Sequence, residues 1–297
     1  MSDPWKVALR DYPHTEPLKS GAIAPEGVPL EFVEIEPIHR AFAPMVREEA
    51  FDVSELAIAT LFQAIEAGRP LVALPVVLHG NFHHRSISVL DGRHRVRPDE
   101  LAGRRIGVRA YSQTTGLWVR GILSDTYGLD AADATWVTRE GPHVAEAVDP
   151  PNVEHTDEKL VDLLQAGDLA AVVMGARSAD HVESLVPLLP DWKERQEQYH
   201  AEHGWVPINH ITVVRRELVD TQPDRVRALY GAFQQSIDAA RPAVPGGTTR
   251  ELVIDYGLTP AVRSTLETAL RYAREQGVIR RDISVDEVFA PFQELIA

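Results

Sequence analysis

Histidines and an arginine are concentrated in one short segment of the chain, HGNFHHRSI at residues 79–87. Histidine exchanges protons near neutral pH or binds a metal, and arginine can hold a carboxylate through two parallel hydrogen bonds. If the segment is a strand, His83 and His84 point to opposite faces, so they do not form a ready metal pair. A later segment, PINH, adds His210. If both segments line a ligand cleft, we expect one of the histidines of the first segment to approach His210 there.

Two junctions between a strand and a helix form a second group of candidates. In AYSQTTGLWVRG, the hydroxyls of Ser112, Thr114 and Thr115 precede a predicted helix whose free amides can hold a carboxylate or phosphate. Ordinary capping by one hydroxyl is the alternative. In FDVSELA, Ser54 and Glu55 stand at the predicted start of another helix. There Glu55 either caps the helix or, facing a cleft, binds a hydroxyl or a metal.

Arginines near these segments are candidates for gripping a carboxylate, namely Arg85, Arg109 and Arg120. Surface ion pairs are the alternative for each of them in such an acidic chain. Trp118 is expected to pack inside the domain. The sequence contains no GxxxxGK, GxGxxG, GxSxG or HExxH motif. Nucleotide binding, serine-hydrolase chemistry and zinc-protease chemistry are therefore not indicated.

The composition narrows the class of protein further. The 297 residues include 44 acidic and 30 basic side chains, a net charge of −14, which argues against nucleic-acid binding but not against a small anion in a basic pocket. There is no cysteine, so thiolate chemistry is excluded. The apolar runs are too short to span a bilayer, and the first residues lack the apolar segment of a secretory signal. We expect a cytoplasmic protein.

The order of predicted elements indicates an α/β fold with two lobes. Strand-like and helix-like segments alternate as far as WVPINHITVV, and only helices are predicted after it. We predict that lobe one consists of residues 1–88 and 206–297, and that lobe two, residues 89–205, is inserted into it. The segments FHHRSISVL and WVPINHITVV would cross between the lobes. Such a cleft is where small ligands usually bind.

Four blocks of the sequence resemble the 4,5-dihydroxyphthalate decarboxylase family, in the order found there: FDVSELA, FHHRSISV, LAGRRIGVRAYSQTTGLWVRGILSDTYGL and GWVPINHITVVRRELV. The family's second block usually reads F-R-H, so His84 matches its histidine and His83 replaces its arginine. The fourth usually reads P-I-M-H, so His210 is kept and Asn209 replaces the methionine. The family is similar to type 2 periplasmic-binding-protein folds, which implies that fold here.

The resemblance also implies a carboxy-lyase that removes CO2 from a hydroxylated aromatic acid. Thr114 and Thr115 would hold the carboxylate with Arg85 or Arg109, and His210 or His84 would deliver the proton. Glu55 would bind the phenol. The substrate-binding residues that we expect are Ser54, Arg85, Arg109, Tyr111, Ser112, Thr114, Thr115 and Trp118.

Cofactors and partners follow from the same scheme. It requires no organic cofactor, whereas a divalent metal ion held by His84, His210 and Glu55 would polarise the phenolate. The expected partner is a small aromatic carboxylate, with no nucleic acid or membrane, and self-association into a homo-oligomer stays open. A non-catalytic solute-binding protein for a small anionic or aromatic ligand is the alternative function. The missing leader favours the enzyme.

Overall fold

The computed structural model describes residues 3–92, 95–175, 179–241 and 253–297. Its strands are β1 (Trp5–Ala8), β2 (Leu30–Phe32), β3 (Val53–Ala57), β4 (Leu71–Gly80), β5 (Ile87–Leu90), β6 (Arg105–Ala110), β7 (Thr135–Glu140), β8 (Val153–His155), β9 (Ala171–Val173), β10 (Leu185–Pro187) and β11 (Ile208–Arg215). Its helices are α1 (Glu16–Lys19), α2 (Phe42–Glu48), α3 (Ile58–Glu66), α4 (Thr114–Tyr127), α5 (Leu160–Ala166), α6 (Trp192–His203), α7 (Arg216–Thr221), α8 (Pro223–Ala240), α9 (Pro260–Glu275) and α10 (Val285–Ile296). Within the described ranges, no helix is long and apolar enough to cross a membrane.

The strands form two separate sheets, and the chain passes between them twice. The first sheet has the order β2-β1-β3-β11-β4 and the second has the order β10-β5-β9-β6-β7-β8. The chain leaves the first sheet after β4 and returns to it with β11, so the second lobe is inserted into the first. The helices α7 to α10 follow as a C-terminal tail. This is the two-lobe α/β fold that the sequence predicts; the lobe boundaries at residues 88 and 206 stay a prediction.

The centre of the first sheet is buried on both faces. Every residue of β3 is buried, and β3 pairs with β1 in parallel and with β11 in antiparallel orientation. Ser54 and Glu55 therefore lie inside a central strand, and α3 begins only at Ile58. The prediction that they stand at a helix start is wrong. The segment VSELA becomes a buried strand because it pairs with β1 and β11, and β11 lies far away in the sequence.

The segment after β4 is a turn. The amide of Ser86 donates to the carbonyl oxygen of His83 at 2.8 Å, and β5 begins at Ile87. The alternation of a strand therefore does not govern His83 and His84, contrary to our expectation. The chain needs this turn because it leaves one sheet at Gly80 and enters the other at Ile87.

The tail joins the two lobes. Helix α9 packs against α3 of lobe one and α4 of lobe two. Its end is fixed by Gln276, whose side chain accepts from Arg120 Nε at 2.7 Å and donates to the Leu117 carbonyl oxygen at 2.9 Å. The last two helices are capped at their start, since the hydroxyls of Thr259 and Ser284 each accept a backbone N–H in the first turn of α9 and α10.

A glycine in α4 makes the contact with α9 possible and gives a test of this packing. A Cβ on Gly121 would lie 2.2 Å from the buried ring of Tyr272, whose hydroxyl is held by Asp125. We expect Gly121→Ala to lower the free energy of unfolding by about 1–3 kcal/mol, although alanine is the better helix former. Urea denaturation measures the change.

The matched control is Gly231→Ala in the middle of α8, where a Cβ would meet no atom within 4 Å. This variant should be as stable as the unaltered chain or more stable by up to about 1 kcal/mol. Equal effects of the two substitutions would contradict the assigned packing of α4 on α9.

Candidate functional site

A cavity of about 780 Å³ lies between the two lobes and is lined by both. Among the residues that the structure describes, its lining includes four basic side chains, Arg10, Arg109, Arg139 and Lys159, and one carboxylate, Glu36. Apolar side chains from both lobes form the remaining walls, among them Phe42, Ala57, Leu160, Val161 and Val173. The cleft is therefore cationic in a protein of net charge −14, and it combines binding groups for an anion with a surface for an apolar ring.

His210 and Glu55 form the central contact of the lobe-one wall. In the sheet, Thr212 lies opposite Glu55 and His210 lies opposite Ala57, so the two side chains are diagonal neighbours on one face. His210 Nδ1 is 2.6 Å from Glu55 Oε1. The imidazole lines the cavity, whereas Glu55 is fully buried beneath it. Glu55 thus orients His210 and does not face the cleft.

Two further donors satisfy the Glu55 carboxylate. The Tyr12 hydroxyl donates to Oε1 at 2.8 Å, and the backbone N–H of Arg10 donates to Oε2 at 3.2 Å. Burial alone would raise the pKa of Glu55, but the hydrogen bond and charge of His210 and the bond from Tyr12 outweigh it and lower that pKa. The carboxylate is ionised at neutral pH, so His210 Nδ1 carries the proton that it donates. Nε2 is then free to exchange a proton with a ligand.

His79, rather than His84, is the histidine of the first segment that meets His210. Strand β4 extends to Gly80 and pairs with β11, which sets His79 opposite His210 with ring centroids 5.3 Å apart. Both rings line the cavity. His84 packs instead against Tyr199 on α6, with ring centroids 5.3 Å apart, and does not line the cavity.

Strand β11 is irregular where it borders the cleft. The register of its pairing with β4 shifts on both sides of His210. Side chains of successive residues in a regular strand point to opposite faces, but a bulge can turn both the same way. Asn209 and His210 both line the cavity as a result. The side-chain oxygen of Asn209 lies 2.9 Å from His83 Nε2.

The start of α4 and the end of β6 form the lobe-two wall, as the sequence predicts. Ser112, Thr114 and Thr115 line the cavity there. The Thr114 hydroxyl also accepts the backbone N–H of Ala59 in the first turn of α3, at 3.3 Å, which links the lobes. Two helix N-termini therefore meet at the cleft, a favourable setting for an anion.

Arg109 provides the charged donor of this wall. Its Nε and Nη1 atoms are buried without a hydrogen-bond partner among the described residues, and Nη1 lies 3.8 Å from the carboxylate of Glu140. Burial lowers the pKa of Arg109, and Glu140 opposes this only in part. A guanidinium keeps its charge in proteins. Arg109 is therefore a half-buried cation in the cavity lining, and its guanidinium has donors that no described residue satisfies. Such a group suits a ligand carboxylate.

The structure does not bring the other predicted site residues to the cavity lining. Arg85 pairs with Asp180 and lies over the ring of Trp192, 5.2 Å from its centroid. The Tyr111 hydroxyl donates to the Gln276 carbonyl oxygen, and Trp118 Nε1 donates to the Ile208 carbonyl oxygen. Both side chains therefore connect lobe two to lobe one. The Ser54 hydroxyl donates to the Glu55 carbonyl oxygen. Arg120 is buried against the ring of Tyr111.

The predicted metal ligands His84, His210 and Glu55 do not converge. His84 packs on α6, and the carboxylate of Glu55 is already hydrogen-bonded to Tyr12 and His210. In the part of the chain that the structure describes, no group of three histidine, aspartate or glutamate side chains is placed to hold a metal ion. These residues therefore do not fit a metal in this arrangement.

Sequence reasoning missed several cavity residues: Arg10, Arg139, Lys159, His39, His79 and His143. Burial, with the nearby charge of Arg109, lowers the pKa of His39 and His143 to about 4, so both are neutral at neutral pH. His143 Nδ1 lies 2.9 Å from the Thr60 hydroxyl and so connects the lobes. Of these residues only His79 belongs to a segment that the sequence analysis singled out. No local motif marks the others, because they come from segments that only the tertiary fold brings together.

The fold defines the class of protein: it is a type 2 periplasmic-binding-protein-like fold. The structure superposes on the alkanesulfonate-binding protein SsuA from Xanthomonas axonopodis pv. citri, bound to MOPS, with a TM-score of 0.59 and 15% identity, covering 97% of this chain and 99% of that one. At this identity the likeness concerns the fold alone. No protein-family model matches the chain.

Sequence comparison then gives named relatives. The chain is 29% identical to the 4,5-dihydroxyphthalate decarboxylase of Comamonas testosteroni over 250 residues, which cover 77% of this chain and 73% of that protein. It is 33% identical to the 4,5-dihydroxyphthalate decarboxylase of Pseudomonas putida over 132 residues, 44% of this chain and 51% of that one. The predicted resemblance to 4,5-dihydroxyphthalate decarboxylases is confirmed.

The buried histidines predict that weak acid destabilises the protein. Burial lowers the pKa of His83 from 6.5 to about 4, so it stays neutral in the folded state. The unfolded chain binds a proton there once the pH falls below about 6.5. The free energy of unfolding should therefore decrease between pH 6.5 and pH 4, and urea denaturation at several pH values measures it. His83→Gln should remove on the order of 1–3 kcal/mol of the decrease.

The control is His181→Gln, at an exposed position, which should leave the pH dependence unchanged. If His83→Gln also leaves it unchanged, His83 does not remain neutral in the folded protein.

Proposed function

We propose that the protein is a decarboxylase of a hydroxylated aromatic carboxylic acid, similar to 4,5-dihydroxyphthalate. The observation that carries this proposal is the Glu55–His210 pair at one wall of a cationic cleft, with Arg109 and the start of α4 on the other wall. The names of the two relatives support the same reaction class. The pair supplies a proton donor, and the opposite wall supplies a carboxylate site.

In the proposed reaction the carboxylate lies on Arg109 and the hydroxyls of Thr114 and Thr115. The imidazolium of His210, stabilised by Glu55, transfers its Nε2 proton to the ring carbon that carries the carboxylate. The bond from that carbon to the carboxylate then breaks, CO2 leaves, and the electron pair of the bond restores the aromatic ring. The ring hydroxyl donates electron density during protonation. One proton is consumed for each CO2, and solvent reprotonates His210.

Glu55 has a different part in this scheme from the one that the resemblance suggests. It was expected to bind the phenol, but its oxygens are occupied by His210, Tyr12 and the Arg10 amide. Glu55 is therefore a positioning residue, which fixes the tautomer and orientation of His210.

No step of the proposed reaction passes through a metal or an organic cofactor. In the metal-assisted alternative, exhaustive removal of divalent ions by a chelator would abolish turnover and added metal would restore it. In our proposal the rate is the same before and after chelation.

The second candidate is a non-catalytic binding protein for a small anionic or aromatic ligand. It is favoured by the shared fold with a sulfonate-binding protein and by the basic side chains that line the cleft, among them Arg10, Arg139 and Lys159. Incubation with hydroxylated phthalates and benzoates, with measurement of CO2 release and of binding, separates the two. Binding without turnover of any of these acids would overturn the decarboxylase in favour of the binding protein.

Two histidines that sequence alone does not separate allow a sharp test of the proton donor. His210→Gln should lower kcat by a factor on the order of 10²–10⁴, because it removes the acid. His84→Gln should retain kcat, since His84 lies against Tyr199 and outside the cavity. Steady-state kinetics of CO2 release measures both, and circular dichroism verifies folding. Full activity of His210→Gln would remove His210 from the reaction.

A matched pair of arginines tests the carboxylate site. Arg109→Gln should weaken substrate binding by about 1.5–3 kcal/mol, seen mainly as a higher KM, because a charge-assisted hydrogen bond is lost. Arg85→Gln should leave KM unchanged, since that guanidinium pairs with Asp180 outside the cleft. If Arg85→Gln raises KM and Arg109→Gln does not, the carboxylate site is misassigned.

A further inference from the structure

Asn209 is a buried polar residue on the cavity that the proposed reaction does not use. Its residue exposure is 4%, and it lines the cleft beside His210 because of the bulge in β11. Its side chain makes one hydrogen bond among the described residues, in which its oxygen accepts from His83 Nε2 at 2.9 Å. His83 is equally buried and does not line the cavity. Asn209 thus connects the cleft to the turn between the lobes.

The bonding partners decide which group Asn209 offers to the cleft. The side-chain oxygen of an asparagine only accepts, so His83 Nε2 must carry the proton. A neutral imidazole has a single N–H, so His83 Nδ1 is an acceptor, and the Ser86 hydroxyl at 3.4 Å is placed to donate to it. The amide oxygen of Asn209 is therefore occupied on the side away from the ligand. Its NH2 group is left to face the cavity.

We propose that Asn209 is a specificity-determining residue, whose NH2 group donates a hydrogen bond to a ring hydroxyl oxygen of the aromatic acid, and that His83 fixes this orientation. A neutral donor suits a hydroxyl oxygen, whereas the charged Arg109 on the opposite wall suits the carboxylate. If the Asn209 amide were turned over, its oxygen would face the cleft. That oxygen is an acceptor and could not donate a hydrogen bond to an anionic ligand. The inference rests on the proposed function for the class of ligand, but it concerns recognition and not turnover.

The experiment measures binding of 4,5-dihydroxyphthalate and of phthalate, which lacks the ring hydroxyls, by calorimetry on the full chain. The quantity that matters is the ratio of the two dissociation constants on the same protein sample, because partial unfolding cancels from it. The unaltered protein should prefer the hydroxylated acid. Asn209→Leu, of similar volume, should reduce that preference about tenfold while changing phthalate binding little.

Substitutions at His83 test the positioning role. His83→Phe should reduce the preference for the hydroxylated acid, because the Asn209 amide is no longer held. His83→Gln, whose side-chain NH2 can also donate to the Asn209 oxygen, should restore most of it. A merely structural role of His83 would weaken both ligands alike in both variants.

Several results would overturn the inference. Asn209→Leu with an unchanged preference would do so, as would Asn209→Asp with an undiminished one, since aspartate offers the cleft only an acceptor. Failure of the unaltered chain to bind either acid would overturn it together with the proposed substrate class. Binding with the expected preferences but without CO2 release would contradict the proposed decarboxylase activity alone and would support the recognition by Asn209.

Discussion

The hydrogen bond between Glu55 and His210 is the contact on which the rest of the site depends. An ionised carboxylate in a protein interior costs several kcal/mol, of the order of 5, unless hydrogen-bond donors surround it. Glu55 obtains its donors from β11, from Tyr12 and from the Arg10 amide. Burial and the Glu55 charge raise the pKa of Tyr12, which keeps that hydroxyl a donor. The hydrogen bonds to the Glu55 carboxylate thus hold the segment after β1 and the adjacent strands β3 and β11 in place around His210.

The two lobes contribute different chemistry to one cleft. Lobe one supplies the imidazoles of His79 and His210 from the paired strands β4 and β11. Lobe two supplies Arg109 and the free end of α4. Links such as Thr114 to Ala59 and α9 packed on both α3 and α4 hold these walls in register. A site assembled in this way can bind an anion on one side and exchange a proton on the other.

The fold, Arg109, the start of α4, Glu55 and His210 could be predicted from the sequence, because alternating elements and short local blocks mark them. The role of Glu55 could not, because the burial of β3 depends on two partner strands. His84 was preferred to His79 because the sequence does not show that β4 continues to Gly80 and pairs with β11. The contact of His83 with Asn209 joins two positions that lie 126 residues apart, which no local reading of the sequence could pair.

The protonation of the His210 ring tests the central claim most directly. Nitrogen-15 NMR of the histidine-labelled protein, with the His210 signals assigned by their loss in His210→Gln, reports which ring nitrogen carries a proton in the neutral form. Our account predicts a proton on Nδ1, held by the ionised Glu55 carboxylate, and a free lone pair on Nε2. A proton on Nε2 with an unprotonated Nδ1 would require a neutral Glu55. That result would contradict the account.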